Sequence, residues 1–312
     1  MVHYTVLAGG TGAAKFLLGL IEVIPEEEIH VIVNVGDDAD IWGLHISPDI
    51  DTVLYALSGR LDSERGWGIR EETFRCLRHM NLYGMPAWFQ IGDADLATHL
   101  TRTELLRHMT LTEATDRLAK ALDIHAKVLP ATNDRLRTRI ETPDGNLDFQ
   151  EFFVRERCRP DVKSVTYAGA EEAIAPDAVL HSIAEAQLVI IAPSNPITSV
   201  GPILAVRGIR DALRCTRAEV VAVSPIIGQE AVSGPAGKLM EACGFDVSPC
   251  GVARCYHDFL DNLIVHTTDA EVAPTIRLDT IGVQVTDILM PTRADARRVA
   301  KFLIDENITA PR

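Results

Sequence analysis

The stretch Thr5-Val-Leu-Ala-Gly-Gly-Thr-Gly-Ala-Ala-Lys-Phe-Leu-Leu-Gly-Leu20 constrains this chain more than any other. Thr5 to Ala8 is an apolar run of strand type. Gly9, Gly10 and Gly12 then let the backbone turn sharply and approach a ligand closely. Ala13 to Leu20 opens an amphipathic helix. Free N–H groups and the helix dipole at such a junction both favour negative charge. The expectation is a phosphate-bearing ligand, a nucleotide, held at Gly9, Gly10, Thr11 and Gly12. Lys15 lies a turn further on, placed either to touch phosphate or simply as an exposed helix lysine. A strand-to-helix turn that binds nothing remains the alternative, although it needs fewer glycines. Ile29 to Val35 reads as a second strand of the parallel-sheet type. The chain therefore opens β–α–β, the start of a doubly wound fold whose ligands bind beyond the carboxyl ends of strands. The acidic Gly36-Asp37-Asp38-Ala39-Asp40 follows that second strand and should neighbour the glycine turn.

The 312 residues, 47% of them hydrophobic, suffice for one α/β domain over 1–312 with a full core. The formal charge of −14 argues against a nucleic-acid surface and against anionic membranes, but not against a phosphorylated substrate. Cys76, Cys158, Cys215, Cys243, Cys250 and Cys255 show no CxxC spacing and read as reduced, mostly packing residues. No apolar run reaches the roughly 20 residues of a membrane helix, and no charged leader precedes the first strand. A soluble, cytoplasmic protein is expected.

Further along, Pro48-Asp49-Ile50-Asp51 leads into a helix from Thr52 to Ser58, with Asp51 as its N-cap. Residues 60–125 read as a mostly helical insertion, with helices at Arg70 to Leu82 and Thr103 to Leu122. Lys127 to Pro130 is a strand. Leu136 to Thr142 and Asn146 to Phe153 form an antiparallel pair around Pro143-Asp144-Gly145. Val162 to Ala168, Leu188 to Ala192, Val220 to Val223, Leu263 to Val265 and Val283 to Val285 are further strands. Helices are expected at Pro176 to Glu185, Ile203 to Leu213, Lys238 to Cys243 and Arg293 to Ile304. The fold class is thus α/β and Rossmann-like, a mainly parallel sheet flanked by helices.

Four groups of residues could carry chemistry. Asp37, Asp38, Asp40, Asp49 and Asp51 suit a hard cation, usually Mg²⁺, which takes one or two carboxylates plus phosphate oxygens. One of them could instead deprotonate a hydroxyl, or they could serve only as caps. Asp93, Asp95, Thr98 and His99 follow Trp88 and Phe89, which form either a stacking wall or core. Ser194, Asn195, Thr198, Ser199 and Gly201 make a second strand-to-helix turn able to hold phosphate oxygens and read a ring edge. Ser224 to Gly228 and Ser233 to Lys238 form a fourth group. His257 and Asp258 read as two polar residues on a helix. There is no G-x-S-x-G, no complete Walker A and no GxGxxG.

Taken in order, Ala8-Gly-Gly-Thr-Gly-Ala-Ala-Lys-Phe, Asn34-Val-Gly-Asp-Asp, Pro48-Asp-Ile-Asp, Arg65-Gly-Trp-Gly and Trp88-Phe-Gln-Ile-Gly-Asp-Ala-Asp-Leu-Ala-Thr-His resemble the CofD family. Leu129-Pro-Ala-Thr, Phe149-Gln-Glu-Phe, Ala192-Pro-Ser-Asn-Pro and Ser224-Pro-Ile-Ile-Gly continue the match. These are the 2-phospho-L-lactate transferases of deazaflavin coenzyme F-420 biosynthesis. The resemblance implies a magnesium-dependent, often dimeric enzyme. In it, the ribityl hydroxyl of the deazaflavin Fo attacks a guanosine diphosphate-linked 2-phospholactate, or its enolpyruvyl counterpart, and GMP leaves. Carried onto this sequence, it implies nucleotide and phosphate contacts from Gly9, Gly10, Thr11, Gly12, Lys15, Ser194, Asn195, Ser199 and Gly201. It implies metal ligation by Asp37, Asp38 and Asp49, catalysis by Asp51 and Asp49, and Fo contacts from Asp51, Trp88 and Gln90. The rival is a non-enzymatic nucleotide-sugar-binding regulator, which shares the glycine turn and the Asp pair. The Trp67 and Trp88 stretches argue against it.

Overall fold

Seven strands, none longer than five residues, pair into one sheet in the computed structural model, which describes residues 3–277 and 281–307. In chain order they are β1 (Tyr4–Ala8), β2 (Ile29–Val33), β3 (Lys127–Pro130), β4 (Leu188–Ile191), β5 (Glu219–Val223), β6 (Asn262–His266) and β7 (Gly282–Thr286). Their spatial order is β7-β6-β5-β4-β1-β2-β3, and every pair is parallel. The Leu-Val-Ile-Ile of β4 is wholly buried, as a parallel strand covered on both faces must be. From β1 the chain grows outward through β2 and β3. It then crosses back to place β4 on the other side of β1, where Tyr4 pairs with both Ile29 and Leu188. Between β1 and β4 the winding direction reverses. A crevice opens there at the carboxyl ends of the strands, and doubly wound sheets bind ligands at that point.

The expected α/β class with a mainly parallel sheet is what forms, with helices on its faces. Several element boundaries differ for local reasons. Helix α1 (Gly10–Leu20) begins at Gly10, so Thr11 and Gly12 lie in its first turn rather than before it. Helix α2 (Pro48–Leu57) starts at Pro48, because a proline lacks only an N–H that the first turn leaves unused. Asp51 therefore sits inside α2 and does not cap it. Helix α3 (Arg75–Leu82) is shorter than expected, with Glu71 before it at a left-handed φ of +56°. Thr103 to Leu122 is not one helix. Helix α4 (Asp93–Leu105) ends before Thr110, which starts α5 (Leu111–Ala121) through a capping box with Glu113. Gly208, at φ +98°, divides the expected Ile203 to Leu213 helix into Gly201–Ala205 and Ile209–Cys215.

Beside the main sheet, Arg137–Thr142 is the middle strand of a three-stranded antiparallel sheet with Gly145–Asp148 and Ser164–Ala168. The strand expected to reach Phe153 stops at Asp148, and Glu151–Arg155 forms a wide helical turn. His257 and Asp258 follow the helix Pro249–Cys255 instead of lying on it, and Asp258 pairs with Arg210 and Arg214. Ala39–Ile41 and Leu44–Ile46 form a small hairpin over the crevice side of α4. All six cysteines are free thiols, as expected. No helix among the described residues is long and apolar enough to cross a membrane.

Helix α1 carries the glycine turn, and it is held from behind by the last described helix, Arg293–Asn307. The two approach so closely that a Cβ at Gly19 would lie 2.2 Å from the carbonyl carbon of Ala296. That neighbour is backbone and cannot rotate away. Gly19→Ala is expected to destabilise the protein by about 1–3 kcal/mol through overpacking. Urea unfolding would show it as a lower midpoint at an unchanged m-value; an unshifted midpoint would mean the two helices are not so tightly seated.

Candidate active site

The crevice between β1 and β4 opens into a cavity of about 940 Å³. Its base is tied together by two buried side chains. Asp49, on the first turn of α2, accepts the amide N–H of Gly10 at 2.8 Å and the Asn34 amide at 2.8 Å. Asn34 follows β2 and also accepts Gly36 N–H at 2.7 Å while donating to the Thr198 carbonyl at 3.2 Å. The ends of β1, β2 and β4 are thereby fixed to one another. The Ser194 hydroxyl donates to the Gly9 carbonyl at 2.7 Å. A Cβ at Gly12 would lie 2.2 Å from the Pro193 carbonyl oxygen, so only glycine fits between the two turns. Asn195 accepts the N–H groups of Ile197 and Thr198 with its side-chain oxygen, which leaves its NH₂ group for other partners.

Carboxylates gather at this base. Asp37 and Asp49 both line the cavity and are both buried. Burial pushes Asp49 up to about 6; its bonds from Asn34 and Gly10 offset this in part, and the charge of Asp38 adds to it. Burial and then the charge of Asp49 raise Asp37 well above the usual carboxylate range. One oxygen of Asp37 is buried with no hydrogen-bond partner. Two such groups beside an anion-binding turn suit a hard divalent cation, which would compensate their charge and supply the missing partner.

A second network lies on the α2–α4 side. Arg102 is fully buried and engages both oxygens of Asp51, one of them at 3.0 Å. His99 stands between two carboxylates, with Nδ1 3.5 Å from Asp51 and Nε2 3.3 Å from Asp95, close enough for charge contact. Tyr55 donates its hydroxyl to Asp95 at 2.6 Å. Burial would raise Asp95, but His99, the Tyr55 hydroxyl and Arg102 outweigh it and hold the group below the usual range. Burial and the two carboxylates raise the Tyr55 phenol far above its ordinary value, so it stays protonated and donates to Asp95. Asp51, Asp95 and His99 offer one ligand atom each within 4.8 Å of one another and could by spacing hold a metal. The Arg102 guanidinium already neutralises Asp51, however, and a cation placed there would be repelled. The carboxylates of Asp37 and Asp49, which among the described residues have no cationic partner, are the better match.

Aromatic rings make another wall. Trp88 meets Phe89 edge-on at 5.7 Å, and Arg155 lies over the Trp88 ring at 5.7 Å. Phe149 and Phe153 stack at 5.5 Å. Phe153 is 43% exposed and Trp67 37% exposed, although both line the cavity. Large rings left uncovered inside a concavity suit a planar ligand.

The structure brings most of the expected residues to this one cavity: Gly9, Gly10, Thr11, Gly12, Lys15, Asp37, Asp49, Asp51, Trp88, Gln90, Ser194, Asn195 and Ser199. Two of the residues the family resemblance implies lie elsewhere. Asp38 turns toward the hairpin, where it accepts the Ser47 hydroxyl at 3.0 Å and meets His45 Nε2 at 2.9 Å. Gly201 packs under Tyr167, whose hydroxyl would lie 2.1 Å from a Cβ there. Asp40 is half exposed and pairs with Arg135 and Arg137. Sequence reasoning missed Asn34 as the hub of the base, and missed Tyr55 and Arg102. The spacing of Asp95, His99 and Arg102, four residues and then three, does mark one face of a helix and was the available signal.

A family model described as 2-phospho-L-lactate transferase CofD matches residues 4–300. The chain is 43% identical over 300 residues to a 2-phospho-L-lactate transferase of Methanococcoides burtonii, covering 96% of this chain and 97% of that one. It is 40% identical over 309 residues to a phosphoenolpyruvate transferase of Nocardia farcinica, covering 95% and 92%. Among solved structures, a UPF0052-family protein of Bacillus halodurans superimposes with a TM-score of 0.66 at 19% identity, covering 97% of this chain and 98% of that one, a likeness of fold.

The raised carboxylates have a measurable consequence. Between the ordinary carboxylate value and about 6, the folded protein holds a proton on Asp49 that the unfolded chain has released. The stability this gives is full below that window and is lost as pH rises through about 6. Asp37→Asn removes part of the repulsion, so its stability relative to the parent should climb from pH 4 to pH 7 in chelator. Saturating Mg²⁺ should raise the parent's Tm by about 2–5 °C at pH 7.5 and by much less at pH 4.5. A stability difference flat across pH would show that the two acids are not forced together.

Proposed function

The chain belongs to the 2-phospho-L-lactate transferase CofD family and is a transferase enzyme, and we propose that its reaction joins a 2-phospholactyl or enolpyruvyl phosphate group to the ribityl hydroxyl of Fo. The donor would be the guanosine diphosphate-linked ester, and the products F-420-0, or its dehydro form, and GMP. One observation carries the reading: buried carboxylates of raised pKa stand against an anion-binding turn, with Asp49 bonded to the Gly10 amide itself. A diphosphate alone would be repelled by Asp37 and Asp49, and a cation alone would be repelled by the turn. A diphosphate carrying a divalent metal ion satisfies both. Mg²⁺ would be held by Asp37 and Asp49, and when bound it neutralises charge on the diphosphate.

The chain's own residues do the positioning. Backbone N–H groups of Thr11 and Gly12, with Lys15, the Asn195 amide and the Ser199 hydroxyl, hold the guanosine diphosphate part, the Gly10 N–H being taken by Asp49. Trp88 and Phe153 stack on the deazaflavin, and Gln90 meets its polar edge. Asp51, oriented by Arg102, accepts the hydrogen bond of the attacking hydroxyl. As the new P–O bond forms, the bond from the lactyl phosphorus to the bridging oxygen breaks, GMP leaves, and the hydroxyl proton passes to Asp51. Catalysis of such a transfer rests mainly on positioning and charge stabilisation, with a carboxylate placed to accept the nucleophile's proton. Within this reading the protein works in the cytoplasm as a homodimer, without nucleic-acid or membrane partners.

The test is direct. The protein, Fo, the lactyl or enolpyruvyl donor and Mg²⁺ should yield GMP and the condensed deazaflavin in equal amounts by mass spectrometry. Tight guanosine-nucleotide binding with no product from either donor would point back to a regulator. Asp51→Asn alone is expected to cost about 3–5 kcal/mol of stability, because Arg102 is left buried and unpaired. The double variant Asp51→Asn with Arg102→Met restores charge balance and should fold, yet lose about 100-fold or more in kcat. Near-normal turnover by that folded variant would remove Asp51 from the mechanism.

A further inference from the structure

Arg157 stands in an unusual backbone for its type. It has φ +53° and the following Cys158 has φ +57°, two successive non-glycine residues in the left-handed region. Such geometry persists only where surrounding contacts hold it, and it gathers at functional sites. The holding contacts are visible. Cys158 N–H donates to the Phe152 carbonyl at 2.9 Å, and Arg159 N–H to the Glu156 carbonyl at 3.1 Å. The ammonium of Lys238 donates to the carbonyls of Cys158 and Arg159 at 3.2 Å each, clamping the segment from the neighbouring helix Ala236–Ala242.

This strained turn brings Arg157 to the wall of the cavity. Its neighbour Arg155 is paired with Glu151 and Glu156, and Arg65, another cavity cation, is paired with Asp62. Among the described residues, Arg157 has no acidic partner and donates no hydrogen bond. It is a free guanidinium in a cavity whose base is otherwise crowded with carboxylates.

We propose that Arg157 recognises an oxyanion of the donor, and that this oxyanion is the carboxylate of the transferred group. The assignment rests on the reaction inferred above. The diphosphate already has the glycine turn, Lys15 and the Asp37–Asp49 pair. The remaining charge on a lactyl or enolpyruvyl donor is its carboxylate, and a guanidinium fork matches that group with two parallel hydrogen bonds. Both donors carry the carboxylate, so Arg157 selects for acid-bearing donors without telling the two apart.

The test uses the full chain, the lactyl donor, and an analogue whose carboxylate is replaced by methyl. Arg157→Gln should raise KM for the lactyl donor about 10- to 100-fold, with KM for Fo and inhibition by GMP unchanged. With the methyl analogue, parent and variant should agree within about twofold. Arg157→Gly should lose donor affinity to the same extent while its Tm holds or rises, since glycine accepts the left-handed backbone. An unchanged lactyl-donor KM overturns the proposal. So does an equal loss with the methyl analogue or with GMP, which would assign the guanidinium to the diphosphate instead. Donor binding measured by calorimetry reads Arg157 even without turnover, so failure of the reaction and failure of this residue stay distinguishable.

Discussion

The carboxylate of Asp49 is the contact on which the rest of the site depends. It joins the Gly10 amide after β1 to the Asn34 side chain after β2, and Asn34 reaches on to the Thr198 carbonyl after β4. Three loops that the sheet merely places near one another are thereby locked in one arrangement. The group doing this is itself disfavoured: burial raises it to about 6. A neutral amide of the same shape could accept only one of these two bonds, so both oxygens of the carboxylate are needed to hold the loops. In the reaction proposed above, that buried and poorly compensated acid would face a metal-bound diphosphate.

The Asp51–Arg102 pair serves the other half of the cavity in a different way. Here the charges are matched inside the protein, and the arginine is sealed from solvent. Buried pairs of this kind add little net stability, but removing one partner is severe. The pair fixes α4 to α2, and α4 follows directly on the segment bearing Trp88 and Gln90. The helices between β2 and β3 are thus anchored at one ionic point beside the acidic base.

How much of this was legible follows from the kind of signal each feature leaves. The glycine turn and the Asn195 loop could be read because strand, turn and helix follow one another locally, and the doubly wound order then makes them neighbours. Asp49 could be named but not assigned, since its partners lie 39 and 15 residues away. Asp38 and Asp37 are adjacent in sequence and point to different environments, which composition cannot reveal. Arg102 left a helical spacing with His99 and Asp95, but nothing in the sequence says that the face is buried. The helix breaks at Thr110 and Gly208 had visible causes, a capping box and a glycine, hidden within longer apolar periodicity.

The reversal of strand order has a consequence for how the site comes into being. β1 comes well before its partner β4, which begins only at Leu188. Contacts this distant in sequence form late and slowly, because the loop between them must be closed first. A growing chain carries its glycine turn exposed and one-sided until most of the protein has been synthesised. Ligand affinity at this crevice therefore cannot guide the early steps of folding; it can only reward their completion.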